Sequence, residues 1–355
     1  MRILIYGAGV VGSLYASLLT RAGEDVTILA RGTRFQDIQN HGILLVDYAH
    51  NHILTTNVKV TDRLDFDDRY DLVIVTIRKN QLNEVLPCLA QNTVCKNILF
   101  MLNNSSGSQP LIEAVGRERV ILGFPGGGGK IGRLIVRYHI LDRQTQPTML
   151  GEPDGSFSPR LKEIAEIFEK AGFPAKISTN MDAWLVTHAA LITPLANAIY
   201  MADGNPYRLA KTRDALVLLV RAVRENFEVL GRLKIPVTPE RLRLIHFIPE
   251  PLLVGSLQLF LPSQKAEEYF ASLANSSRDE MAVLSSEFYQ LVQKSKSTTP
   301  SAVLLCAYLD AATPPLPSSS RQIPLQWRGT ALLTIASGIM LAALIWLRMG
   351  ARDET

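Results

Sequence analysis

Cysteine is scarce. Three in 355 residues, Cys88, Cys95 and Cys306, are too few for a disulfide framework and show no metal-ligand spacing. A reducing compartment is therefore expected. The six histidines are scattered, with no pair at metal-binding spacing, so no metal site is expected. Strong charge excess is missing too. A net charge of +4, without a basic stripe interleaved with aromatics, excludes nucleic acid as a partner. Low-complexity blocks and internal repeats are lacking, and the length suits two packed domains plus an appendage.

A credible export signal is also lacking. "MRILIYGAGVVGSLYASLL" has one arginine and an apolar centre, but glycines interrupt it at fixed spacing and no small-residue cleavage site follows. At the other end, Arg328 and Arg348 bracket nineteen uncharged residues, 329–347, with Trp327 and Trp346 at the edges. As a helix this run rises roughly 28 Å, about the hydrocarbon thickness of a bilayer. Tryptophans at both boundaries suit the headgroup zone. The competing reading is a buried C-terminal helix. The run has no polar face, and a Pro/Ser-rich stretch, 313–328, separates it from what precedes. The expectation is a single transmembrane helix anchoring a cytoplasmic body.

Between these ends, β-branched runs at 2–7, 25–30, 71–77, 97–102 and 119–124 alternate with helical segments. That rhythm predicts βαβ units around a buried parallel sheet. Residues 42–60 read as an inserted hairpin, and a last strand falls at 174–178. Beyond it the periodicity is helical, with helices expected at 182–202, 209–232, 239–248, 264–294 and 301–312. The fold class is thus an α/β Rossmann-type domain (1–181), an all-α domain (182–312), a linker (313–328) and the apolar helix.

Gly7, Gly9 and Gly12 form G-x-G-x-x-G directly after a strand and open a helix. Gly7 permits a tight turn, Gly9 lets backbone approach a pyrophosphate, and Gly12 lets helix and strand pack closely. The segment Gly7, Ala8, Gly9, Val10, Val11, Gly12 is therefore the expected dinucleotide turn, its helix N-terminus facing the phosphates. At the end of the second strand, where an NAD site normally has Asp or Glu, stands Arg31, with Arg34 close behind. A guanidinium grips a 2′-phosphate that a carboxylate would repel, so NADP(H) is the expected cofactor.

In these motifs the chain resembles the ketopantoate reductases (2-dehydropantoate 2-reductases) over about residues 1–312. "VTIRKNQ" (75–81) resembles the family's strand-end motif, with Arg78 or Lys79 lining the cofactor cleft. "MLNNSSG" (101–107) puts Asn104 where an asparagine contacts nicotinamide and substrate. "GFPGGGGKIG" (123–132) matches a stretch at which backbone, here near Gly128, meets the cofactor. Counting back from Pro300, Glu280 falls on the glutamate used near the substrate hydroxyl and cofactor. The resemblance implies reduction of a small 2-oxo acid, with Asn104, Glu280 and Lys79 as catalytic candidates.

"WLVTHAALITPLANAIY" (184–200) resembles the family's site helix, Trp-x-Lys-x-x-x-Asn closing on Asn-Pro-Leu. Trp184, Pro194 and Leu195 are present; the lysine position is Val186, the first asparagine position is Ala190, and Thr193 precedes the proline. Asp203-Gly204 stands for the family's Asn-Gly, making Thr193 and Asp203 substrate candidates. The alkoxide left by hydride transfer needs a cation or acid, and valine is neither. His188 lies about 200° round the helix from Val186 and reads as a core or interface histidine. The alternatives are an inactive, membrane-tethered NADP-binding protein, or a reductase of another carbonyl with His188 or Lys79 as acid. A homodimer is left open.

Overall fold

The computed structural model describes residues 1–48 and 52–327. The first strand shows why the main sheet is buried on both sides. Ile3 and Ile5 of β1 (Arg2–Tyr6) join one apolar cluster, while Leu4 and Tyr6 join another. Strand side chains alternate between faces, so two apolar sets demand helices above and below. The remaining strands of this sheet are β2 (Asp25–Leu29), β5 (Lys59–Thr61), β6 (Leu72–Val75), β7 (Ile98–Met101), β8 (Val120–Phe124), β11 (Thr148–Gly151) and β12 (Ala175–Ile177). Their order is β12-β11-β8-β7-β6-β1-β2-β5. All neighbours are parallel except β8 and β11. Chain order reverses at β1, which has β2 on one side and β6 on the other. Open sheets of this kind bind ligands in the crevice beyond the carboxyl ends at that point.

Helices α1 (Val10–Arg21), α2 (Gly32–His41), α3 (Leu82–Gln91), α4 (Gln109–Val115) and α5 (Pro159–Lys170) cover this sheet. The inserted hairpin is present as β3 (Ile43–Asp47) and β4 (Ile53–Thr56). It belongs to a second, four-stranded sheet, β4-β3-β10-β9, through β9 (Gly127–Ile131) and β10 (Ile135–Ile140). Ile43, Leu45 and Val136 from this sheet share a core with Leu14 of α1.

The glycine run has a structural role as well. Gly126–Gly129 lead into and form β9, and packing explains three of the four. A Cβ on Gly126 would lie 2.4 Å from Thr148 N, one on Gly127 2.6 Å from His139 O, and one on Gly129 2.0 Å from Arg137 O. Gly128 alone has room, with the His139 ring 3.7 Å away.

From α6 (Met181–Met201) onward the described chain is helical. α6 is long and apolar enough to cross a membrane, yet most of it is buried among other helices. Asn180 caps it by accepting from Ala183 N at 3.0 Å. Pro194, inside the helix, has no N–H for Ala190 O; Asn226 Nδ2 supplies the missing donor at 3.0 Å.

Four expected helices are revised. The stretch 209–232 divides into α7 (Pro206–Lys211) and α8 (Arg213–Arg232) at Thr212, whose backbone leaves the helical region. Residues 239–248 make a 3₁₀ turn, Glu240–His246, followed by an unforeseen α9 (Glu250–Phe260). Residues 264–294 divide into α10 (Gln264–Ala266), a π-type turn (Glu267–Ala271), α11 (Ser272–Ser276) and α12 (Arg278–Ser295). The last break falls at the polar Asn275-Ser276-Ser277 triplet, where Ser276 Oγ competes for helix backbone by donating to Leu273 O at 3.1 Å. Residues 301–312 hold α13 (Pro300–Cys306) and a 3₁₀ turn, Ala307–Leu309. The expected linker is pinned to the body as far as Gln326. The expected transmembrane helix, 329–347, lies outside the described residues.

Candidate functional site

The glycine turn has the shape a dinucleotide needs. Gly7 has φ +116°, and a Cβ on Gly12 would stand 1.8 Å from Gly7 O, so neither position tolerates a side chain. A Cβ on Gly9 would meet nothing within 4 Å: this backbone faces open space. α1 begins with Ser13 N donating to Gly9 O at 3.0 Å, which leaves the N–H groups of Val10, Val11 and Gly12 ahead of the helix ladder. The turn thus fits a pyrophosphate.

The two arginines after β2 have different surroundings. Arg34 is built into the turn: its guanidinium donates to Ala8 O (3.2 Å), Ser13 Oγ (2.9 Å) and Leu134 O (3.3 Å). Burial lowers its pKa. Arg31 is exposed and donates to Tyr6 Oη at 3.2 Å.

Three predicted residues converge beyond β6 and β7. Lys79 follows β6 on a 3₁₀ turn, and Asn104 follows β7. Lys79 Nζ donates to Asn104 Oδ1 (2.8 Å) and Ser106 Oγ (3.0 Å), and pairs with Glu287 Oε1 at 3.3 Å. Glu280 Oε1 accepts from Lys79 N and from Asn103 Nδ2, each at 3.2 Å. Asn104 is held in turn by donating to Gly107 O at 2.7 Å. Arg78 stays at the rim with Asp279, 3.4 Å away.

Both carboxylates come from α12. Two helical turns separate Glu280 from Glu287, so they share one face, while Met281, Leu284 and Phe288 are buried. Burial pushes the Lys79 ammonium below its ordinary pKa, with Glu287 and Glu280 opposing. Burial pushes Glu280 up, with Lys79 N–H and Asn103 opposing. The ammonium has three donors and three oxygen partners, so a substrate oxygen must displace one of them. Asn103 Oδ1 is buried and unpartnered among the described residues, on the side chain that donates to Glu280.

Sequence reasoning missed Asn103, Ser106 and Glu287. Only Glu287 left a signal, its seven-residue spacing from Glu280.

The other substrate candidates lie apart from this cluster. Thr193 is buried in the helical bundle and donates to Ala189 O at 2.9 Å. Asp203 sits at the far end of α6 in a left-handed conformation (φ 62°), paired with Arg208 at 3.1 Å. Val186 and Ala190 belong to the apolar core of the helices. His188 stacks on Trp184 (5.4 Å between centroids, 5° between planes) and lies 4.4 Å from the Phe124 ring of β8. Burial brings its pKa down to about 4, so it is neutral near pH 7 and a poor proton donor.

Residues 3–138 match the family Ketopantoate reductase PanE/ApbA. Over that stretch the chain is similar to the ketopantoate reductases. The 2-dehydropantoate 2-reductase of Aquifex aeolicus is 26% identical over 242 residues, spanning 66% of this chain and 74% of that protein. The enzyme of that name from Pyrococcus horikoshii is 25% identical over 250 residues, 68% and 78% of the two chains. Among solved structures, D-mandelate dehydrogenase with NADH and anilino(oxo)acetate has a TM-score of 0.70 at 18% identity, covering 88% of this chain and 98% of that one. The 2-dehydropantoate 2-reductase of Geobacter metallireducens GS-15 has 0.69 at 19% identity, covering 88% and 100%. At such identities the likeness is one of fold. It extends past residue 138, through the helical half that delivers Glu280.

Proposed function

We propose that this chain is an NADP(H)-dependent reductase of a small 2-oxo acid, ketopantoate or a close analogue. The convergence of Lys79, Asn104 and Glu280 beyond β6 and β7, beside the glycine turn, carries this reading. The 7–12 backbone would hold the pyrophosphate and Arg31 the 2′-phosphate, Arg34 being committed to the turn. When bound, the nicotinamide supplies the hydride. Lys79 takes the part vacated at Val186: its ammonium stabilises the developing alkoxide and transfers a proton from Nζ, then regains one from solvent. Asn104 orients the carbonyl through Nδ2, and Glu280 accepts from a substrate hydroxyl. The test is NADPH oxidation with ketopantoate and a panel of 2-oxo acids. NADPH binding without turnover of any of them would end the enzyme reading.

Burial of Val186 and Ala190 in apolar core favours a second reading, a cofactor-binding protein without catalysis. The same panel separates the two. The composition of 329–347 supports a further proposal, that this segment anchors a cytoplasmic body to a membrane. Full-length protein should sediment with membranes, and a chain ending at Trp327 should not.

A further inference from the structure

Residues 313–327 form a strap. Leu316 N donates to Met201 O at 3.0 Å, and Arg208 donates to Leu316 O at 2.7 Å. Asp214 of α8, itself 3% exposed, then accepts from Ser320 Oγ (2.5 Å), Gln322 N (2.8 Å) and Ile323 N (2.9 Å). Arg221 donates to Pro324 O and holds Glu250, and Glu250 accepts from Gln326 N at 2.8 Å. The strap thus runs from the end of α6, along α8, to the N-terminus of α9.

There the surface turns apolar. Between Glu250 and Lys265 no residue is charged. Val254 and Leu261 face inward, while Leu252, Leu259 (85% exposed) and Phe260 face outward. The preceding 3₁₀ turn adds Leu244 and Phe247 (74% exposed), with exposed Arg241 and Arg243 on the same turn. A helix apolar all round is normally buried, and among the described residues nothing covers the outer side of this one.

The strap says what does. Gln326 is fixed on Glu250, and residue 329 follows three residues later, so the apolar segment starts within roughly 10 Å of α9. As a helix of about 28 Å it would be nearly twice the length of α9, about 16 Å, which is too short to cover it. We propose that the face formed by residues 244–260 rests on the lipid bilayer that 329–347 enters. Leu252, Leu259 and Phe247 then reach the headgroup boundary, and Arg241 and Arg243 meet lipid phosphates. This rests on reading 329–347 as a membrane span.

The test uses the full chain in vesicles of phosphatidylcholine and phosphatidylglycerol carrying brominated acyl chains. Leu259→Trp is compared with Phe157→Trp, which replaces an exposed residue in the loop before α5, and each signal is read as its difference from the unsubstituted chain. The L259W signal should be quenched about threefold more than the F157W signal. Equal quenching in a chain that floats with the vesicles overturns the docked face and leaves the anchor standing. A chain that does not float overturns both. L259W emission already blue-shifted without lipid shows a second copy or the chain's own segment on the face, and also overturns the proposal.

Discussion

At the residue scale the proposed proton donor is Lys79, on the turn after β6, rather than a residue of α6. Lys79→Met should lower kcat with ketopantoate, or whichever 2-oxo acid turns over, by about 10²-fold or more, with NADPH affinity changed far less. Stopped-flow turnover beside equilibrium titration of NADPH separates the two effects. The pH profile has a defined sign. In the proposed role Lys79 works protonated, and burial lowers its pKa, so kcat/KM should fall as pH rises through a value below the ordinary lysine range. Glu287 raises that pKa, so Glu287→Gln should move the alkaline limb to lower pH. Val186→Lys should not restore the family's donor. It would place an ammonium in apolar core, and a melting temperature lowered by several degrees, without new activity, is the expected result.

At the scale of single elements, two glycines test two explanations. Gly12→Ala should abolish NADPH binding, because its Cβ collides with Gly7 O. Gly129→Ala should instead destabilise the chain by about 2 kcal/mol or more in urea, through the β9–β10 pair. Equal loss of NADPH affinity in both would return the glycine run to the cofactor site. Asn226→Leu leaves Ala190 O of α6 without its donor and should cost about 1–3 kcal/mol in the same assay. α9 escaped the sequence reading because it has no polar face: periodicity finds amphipathic helices, and this one is apolar on both sides. α12 was read as part of one long helix because period alone does not register the polar triplet at which the helix breaks.

At the scale of the whole molecule, aromatic contacts join the sheets to the helical half. His188 on α6 meets Phe124 of β8, and Tyr269 packs at a tilt of 38° against His139 of β10, 3.9 Å between centroids. The His188 pKa of about 4 lies below its unfolded value near 6.5, so the unfolded chain binds that proton first. Stability contributed by the neutral ring should be intact above about pH 6.5 and fall as pH drops towards 4. Thermal melts of wild type and His188→Gln should therefore converge with acidification across that window; parallel curves would contradict a buried neutral imidazole. His139, also held to about 4, titrates in both proteins and cancels. Cutting the chain at residue 312 would strip Asp214 of its three donors, so it should melt well below a chain ending at Trp327.

The sequence alone determined the parts governed by short-range rules: the alternating strands and helices, the glycine turn with Arg31 behind it, and the helical second half. Gly12 could be read from its spacing because a turn of fixed geometry leaves no room for a side chain. It also named Lys79, Asn104 and Glu280 separately, through family resemblance. Only the tertiary structure decided that they meet, that Glu287 and Ser106 complete the ammonium's partners, and that Thr193 and Asp203 stand elsewhere. It likewise turned a Pro/Ser-rich linker into a strap, because a single buried carboxylate, Asp214, gathers donors more than 100 residues away. Local pattern fixes which way a side chain leaves its element; what it then touches depends on packing between segments far apart in the chain.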